Sequence, residues 1–241
     1  MKRSICLFLS LILCLAALFP VTGSAEEYPL GHTDIRLSVD DTAWYVFTRE
    51  NIENNPELEE LGISYQVVYD LLYDNQAYLY AIVFQESGRY MELFVRKKTL
   101  DSGMGNLSNY KDQEVLDLAK RVAARNTDDA DCSVYKNQYK FAKLEYLDPN
   151  YHSYICEFIT VVNTDNYTLT FQSLSQFTAA DHREIQQIVD SIHFDVDPTV
   201  KEPKFSLDGS AILRNTFLGA AIGGIVGGLL AWFKARKNKA S

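Results

Sequence analysis

The sequence predicts an α+β protein: an antiparallel sheet covered by helices on both faces (an α/β/α sandwich), plus one C-terminal transmembrane helix. Three observations predict the sheet and its cover. AYLYAIVF (77–84) is apolar or aromatic at every position, as in a strand buried on both faces of its sheet. Two amphipathic stretches, 112–125 and 178–192, can supply helices to cover it. The β-rich runs between them are joined by short polar links, which make sequence neighbours antiparallel.

In chain order, DIRLSV (34–39) alternates apolar and polar residues and AWYVFT (43–48) is rich in β formers. NIENNPELEEL breaks that pattern, and Pro56 opens a short helical turn. Ser64 is placed to cap a helix from Tyr65 to about Asp74, with Val68, Leu71 and Leu72 on one face. AYLYAIVF and YMELFVRKK (90–98), joined by ESGR, read as a hairpin. Asp112 caps the next helix, which runs to about Arg125 with Val115, Leu118, Ala119 and Val122 at helical spacing. CSVYKNQYKFAKLEYL, in one or two pieces, YHSYICEFITVV and YTLTFQSL supply three or four more strands. The links Asp148-Pro149-Asn150 and Asn163-Thr164-Asp165-Asn166 carry turn chemistry. Thr178, with Asp181 three positions on, forms a capping pattern for a last helix whose apolar face is Ile185, Ile188, Val189 and Ile192.

The ends set the expected topology. Residues 1–25 have the layout of a signal peptide: Lys2 and Arg3, an apolar run from Ile5 to Phe19, then small residues with Gly23 and Ala25 before Glu26. The extracytoplasmic domain is expected over 26–194 and a stalk over 195–210. A transmembrane helix is expected over 211–233, its uncharged part running from Thr216 to Phe233 and rising about 27 Å as a helix. The basic tail 234–241 carries Lys234, Arg236, Lys237 and Lys239, which keeps it cytoplasmic. The expectation is a single-pass plasma membrane protein with its bulk outside, of bacterial style.

Inside the span, Gly219, Gly223 and Gly227 form two overlapping Gly-x-x-x-Gly units, and Gly224 with Gly228 forms another. On a helical wheel they share one half with Ala220 and Ala231, which makes a face suited to close helix–helix approach. It points to self-association or to a partner membrane protein.

All 32 acidic residues but only 16 of the 23 basic ones lie between Glu26 and Asp208, a net charge of −16. Such a domain repels phosphate backbones, so nucleic acid is not an expected partner. Cys132 and Cys156 remain after the signal; they can pair as a disulfide or stay as two buried thiols. No Cys-x-x-Cys, His-Glu-x-x-His or Gly-x-Ser-x-Gly motif occurs, and SGMGN (102–106) lacks the strand-to-helix setting of a phosphate loop. Asp128, Asp129 and Asp131 read as a solvated turn rather than a calcium loop. No metal, cofactor or catalytic residue is assigned. YDLLYDNQAYLY crowds Tyr69, Tyr73, Tyr78 and Tyr80 together, either as a partner surface or as ordinary packing at strand and helix edges.

The order WYVFTREN (44–51), ELEELGIS (57–64), a helix, AYLYAIVF, YTLTFQSL and a closing helix ending DSIHF (190–194) resembles the PsbP-like fold over roughly 34–194. That fold is the α/β/α sandwich of the photosystem luminal protein and its Mog-type relatives. The resemblance implies an accessory or binding module rather than an enzyme. Three functional readings follow: an anchored interaction module, an anchored small-ligand-binding domain with a passive helix, and a hydrolase with a dispersed site near His152 and Asp148.

Overall fold

A computed structural model describes residues 25–30, 35–84, 90–100 and 105–195. It is a mixed α+β structure with two antiparallel sheets. The main sheet contains β3 (Trp44–Thr48), β4 (Ala77–Phe84), β5 (Tyr90–Thr99), β6 (Asp131–Lys136), β7 (Lys140–Asp148), β8 (Ser153–Val162) and β9 (Asp165–Ser173). Their order is β3-β4-β5-β9-β8-β7-β6, with every neighbouring pair antiparallel. The chain thus leaves β5, crosses to the far edge at β6, and meanders back until β9 lies against β5. The second sheet joins β1 (Ala25–Pro29), β2 (Ile35–Asp40) and β10 (His193–Phe194) in the order β1-β2-β10.

The period of two along a strand divides the main sheet into two unlike faces. On one face Met91, Leu93 and Val95 of β5 join Tyr167, Leu169 and Phe171 of β9 and Cys156 and Phe158 of β8. This face is covered by Ile35, Leu37 and Val39 of β2 and by α4 (Ala179–Asp190). DIRLSV is therefore a half-buried strand as its alternation predicts, but it forms part of the cover instead of the main sheet. Ile185, Ile188, Val189 and Ile192 are the buried positions at the α4 end, as their spacing requires. Polar ties fix the helix: Trp44 Nε1 donates to Glu184 Oε1 at 2.7 Å, and Gln138 Nε2 donates to the Ile192 carbonyl at 2.7 Å.

The opposite face carries two separate apolar blocks. At the β3-β4-β5 end, Phe47, Tyr80, Ile82 and Phe94 pack under α1 (Pro56–Leu61) and α2 (Tyr65–Tyr73), which contribute Leu58, Leu61, Val68, Leu71 and Leu72. At the β7–β8 end, Ala142, Leu144, Ile155 and Ile159 pack under α3 (Asp112–Ala123), which contributes Val115, Leu118, Ala119 and Val122. Each fully buried valine, leucine, isoleucine or phenylalanine among them stabilises by about 1.5–3 kcal/mol relative to exposure.

Local chemistry sets the ends. Pro56 stands in the first turn of α1, and the Asn55 Oδ1 accepts the Glu57 N–H at 2.9 Å. Ser64 occupies the cap position of α2 without a side-chain hydrogen bond. Asp112 is the first helical residue of α3 rather than its cap; Lys111 is the cap residue, and its N–H donates to Glu114 Oε2 at 2.8 Å. The Thr178–Asp181 box forms in full: Thr178 N–H donates to Asp181 Oδ2 at 2.6 Å and Asp181 N–H donates to Thr178 Oγ1 at 3.3 Å. Thr178→Ala is expected to lower stability by about 1 kcal/mol, read as a shifted denaturant midpoint at unchanged slope. A midpoint equal to wild type would show that the box contributes nothing.

CSVYKNQYKFAKLEYL is two strands, split at Asn137, whose Oδ1 accepts the Tyr139 N–H at 2.7 Å. The β8–β9 link is only Asn163-Thr164, both with positive φ, while Asp165 and Asn166 already belong to β9. Residues 1–24 of the predicted signal peptide, the ESGR link, most of SGMGN, residues 196–210 of the stalk, the transmembrane segment and the basic tail lie outside the described residues, whereas Ala25 already opens β1. Among the described residues, no helix is long and apolar enough to cross a membrane.

Candidate functional site

The tyrosines singled out by the sequence divide between a surface and the core. Tyr65, Tyr69 and Tyr73 recur every four residues along α2, so their rings stack up one side of the helix. Ring centroids are 5.7 Å apart for Tyr65–Tyr69 and 4.4 Å for Tyr69–Tyr73. Tyr65 and Tyr73 are exposed. Desolvation first and the nearby Glu53 carboxylate second push the Tyr65 phenol above its ordinary range.

Arg49 continues this ladder from α2 to the sheet. Its guanidinium carbon lies 5.0 Å from the Tyr73 ring centre and 4.4 Å from that of Tyr78 on β4. Its Nε donates to the Leu72 carbonyl at 2.9 Å, near the C-terminal end of α2. The cation is thus held between two rings and against the carbonyl end of a helix, where positive charge is favoured. Tyr78 is half-buried and packs against the cluster on the opposite sheet face, at the point where the β4–β5 register shifts between Ala77 and Leu79.

Tyr80 does not belong to the surface. It is 1 % exposed, stacks on Phe47 and Phe94, and donates from Oη to Glu92 Oε1 at 2.8 Å. Beyond the register shift, strand alternation turns its ring beneath the helices.

One groove adjoins the ladder at Tyr65, and a second meets the first at Glu53, Asn54 and Asn55. The first, about 590 Å³, is lined by Ile52, Leu58 and Ile63 with Glu53, Glu59 and Tyr65. The second, about 490 Å³, brings Glu26, Asp41 and Glu57 near Tyr28 and Trp44. Burial first and Glu60 second hold the Glu57 carboxyl above its ordinary range.

A different feature lies inside, in the gap between the two apolar blocks. Glu92 and Arg96 on β5, Thr168, Thr170 and Gln172 on β9 and Glu157 on β8 are all buried on the same sheet face. Arg96 Nη2 lies 3.6 Å from Glu157 Oε1 and donates to Thr170 Oγ1 at 3.1 Å. Thr170 in turn donates to Glu157 Oε1 at 3.0 Å, so it links acid and base across β5, β9 and β8. Burial pushes the Glu92 carboxyl up to about 8 and raises that of Glu157, where Arg96 opposes the shift. Glu92 Oε2, Glu157 Oε2 and the Arg96 Nε and Nη1 have no hydrogen-bond partner among the described residues.

Cys132 and Cys156 are free. Cys132 packs with the α3 block and Cys156 with the opposite face, on strands separated by β7, so they cannot form the disulfide left open by the sequence. Burial raises the Cys156 thiol to about 12, far from a reactive thiolate. Asp148 Oδ1 accepts the N–H groups of Asn150 and Tyr151, a turn-forming duty, while His152 stands exposed in that turn. Asp128 and Asp129 are exposed after α3, and Asp131 begins β6. The glycine face lies outside the described residues.

Sequence reading did not place Tyr65 and Arg49 in the surface. The 65/69/73 spacing was a usable signal for Tyr65; nothing local links Arg49 to residues 73 and 78.

What fold and surface define is a mixed α+β domain with an exposed aromatic ladder beside acid-lined grooves. No family model matches the chain, and no curated protein matches it. The chain is similar to the solution structure of cyanobacterial PsbP from Synechocystis sp. PCC 6803, with 10 % identity and a TM-score of 0.42 over 73 % of this chain and 96 % of that one. The likeness is to a distant PsbP-like fold; it transfers no residue role.

Proposed function

We propose that this chain is a single-pass, membrane-anchored extracytoplasmic interaction module that works without catalysis of its own. The observation that carries this reading is the Tyr65–Tyr69–Tyr73 ladder completed by Arg49 and Tyr78. Tyrosine and arginine are the side chains that concentrate binding energy in protein interfaces, because large rigid groups are ordered at low entropic cost. The anchor comes from the sequence of 211–233 and the orientation from the basic tail, which places the domain outside a bacterial plasma membrane and the C-terminus in the cytoplasm. The glycine face of the span adds a second contact, to another copy or to a partner membrane helix. The finer kinship we propose is with the Mog-type relatives of the PsbP-like fold.

Crosslinking of the full-length protein in its own membranes tests this. Tyr69→Ala with Tyr73→Ala should remove a crosslinked partner that the wild type captures, and Gly223→Ile with Gly227→Ile should remove any contact made through the span. If the same partners persist with both variants, neither surface recruits them and the reading fails.

A further inference from the structure

The aromatic ladder runs directly into the first groove, because Tyr65 belongs to both. The floor there is apolar and fixed: Ile52, Leu58 and Ile63 are 0 %, 5 % and 5 % exposed. The rim is acidic, with Glu53 and Glu59 exposed on it. The second groove meets the first at Glu53, Asn54 and Asn55 and adds Glu26, Asp41 and Glu57. Among the described residues lining either groove, none is a lysine or an arginine.

Resting on the interaction-module reading, we propose that this surface docks a protein segment with an apolar anchor flanked by lysines or arginines. The anchor sits over Ile52, Leu58 and Ile63, and the basic side chains meet Glu53 and Glu59. The rest of the segment runs along the tyrosines of α2, which span about 12 Å from Tyr65 to Tyr73.

Three observations select this occupant. Like charges are crowded at these grooves with no lysine or arginine among the described residues that line them. A basic partner relieves it, whereas a phosphate-bearing one makes it worse. Nor is any group of three or more His, Cys, Asp or Glu side chains placed to hold a metal ion among the described residues. Finally, the wall is already ordered. Asn51 accepts the Thr48 N–H at 2.7 Å and donates to the Val46 carbonyl at 2.8 Å, and Asn55 caps α1. An ordered wall lowers the entropy lost on binding.

The test selects from phage-displayed random dodecapeptides on the full-length protein in phosphatidylcholine nanodiscs, with empty nanodiscs as background. The expected consensus is a leucine, isoleucine, valine or phenylalanine next to basic residues. Glu53→Lys with Glu59→Lys, both exposed sites, should weaken the selected peptide by roughly tenfold or more in fluorescence anisotropy. Tyr65→Ala with Tyr69→Ala should weaken it as well. Peptides lost with the tyrosine pair but indifferent to charge reversal would overturn the basic-segment proposal and leave the interaction surface standing. Selected peptides indifferent to both pairs, or no enrichment over background, would overturn the proposal and the use of this surface together.

Discussion

Replacing Glu92 by glutamine should flatten the loss of stability that the wild type suffers as pH rises from about 4.5 to about 8. The carboxyl is fully buried, and desolvation raises it from 4.5 to about 8 while the Tyr80 hydrogen bond only partly opposes this. In that window the folded protein holds a proton on Glu92 that the unfolded chain has released. Stability therefore falls with rising pH, by at most about 1.4 kcal/mol per unit, and levels off above the folded value. Glutamine keeps an acceptor for the Tyr80 hydroxyl and has nothing to ionise. Glu157 and Glu184 are raised too and add slope of the same sign, so the informative quantity is the difference between wild type and variant. It is measured by pulse proteolysis of the full chain in detergent at pH 5, 7 and 8.5. Parallel stability curves for the two proteins would show that Glu92 does not carry a buried proton.

Arg96→Met should destabilise by about 3–5 kcal/mol near neutral pH, because it strands the buried Glu157 carboxylate without its counter-charge. The penalty should shrink in acid, where Glu157 takes up a proton. Arg96→Met combined with Glu157→Leu should recover most of the loss, since two buried charges leave together and the space stays filled. The same proteolysis assay reads all three proteins. A double variant as unstable as the single one would show that Arg96 acts through packing of its stem and not through the pair.

The strands show what a single sequence can and cannot carry. Apolar runs, turn residues and the Thr178–Asp181 box act within a few positions of one another, so the main-sheet strands and α1 to α4 were all legible. The resemblance to a PsbP-like fold was legible from their order. Whether β2 joins the main sheet or covers it depends on pairing with β1 and β10, and no local pattern holds that. The candidate surface divided in the same way: Tyr69 and Tyr73 follow from helix spacing, whereas Tyr78 and Tyr80, two positions apart on β4, fall on different sides of the sheet because the register shifts between Ala77 and Leu79.

By itself, then, the chain determined its element types and the acidic balance of 26–208, since each depends on composition or on spacing along one segment. Only the tertiary structure decided that Cys132 and Cys156 lie on opposite faces, that Arg49 closes the tyrosine ladder, and that Glu92, Arg96 and Glu157 share a buried strip. Those relations are set by strand order and by which side of a pleat faces which helix. They join residues dozens of positions apart, whose mutual distance no local propensity encodes.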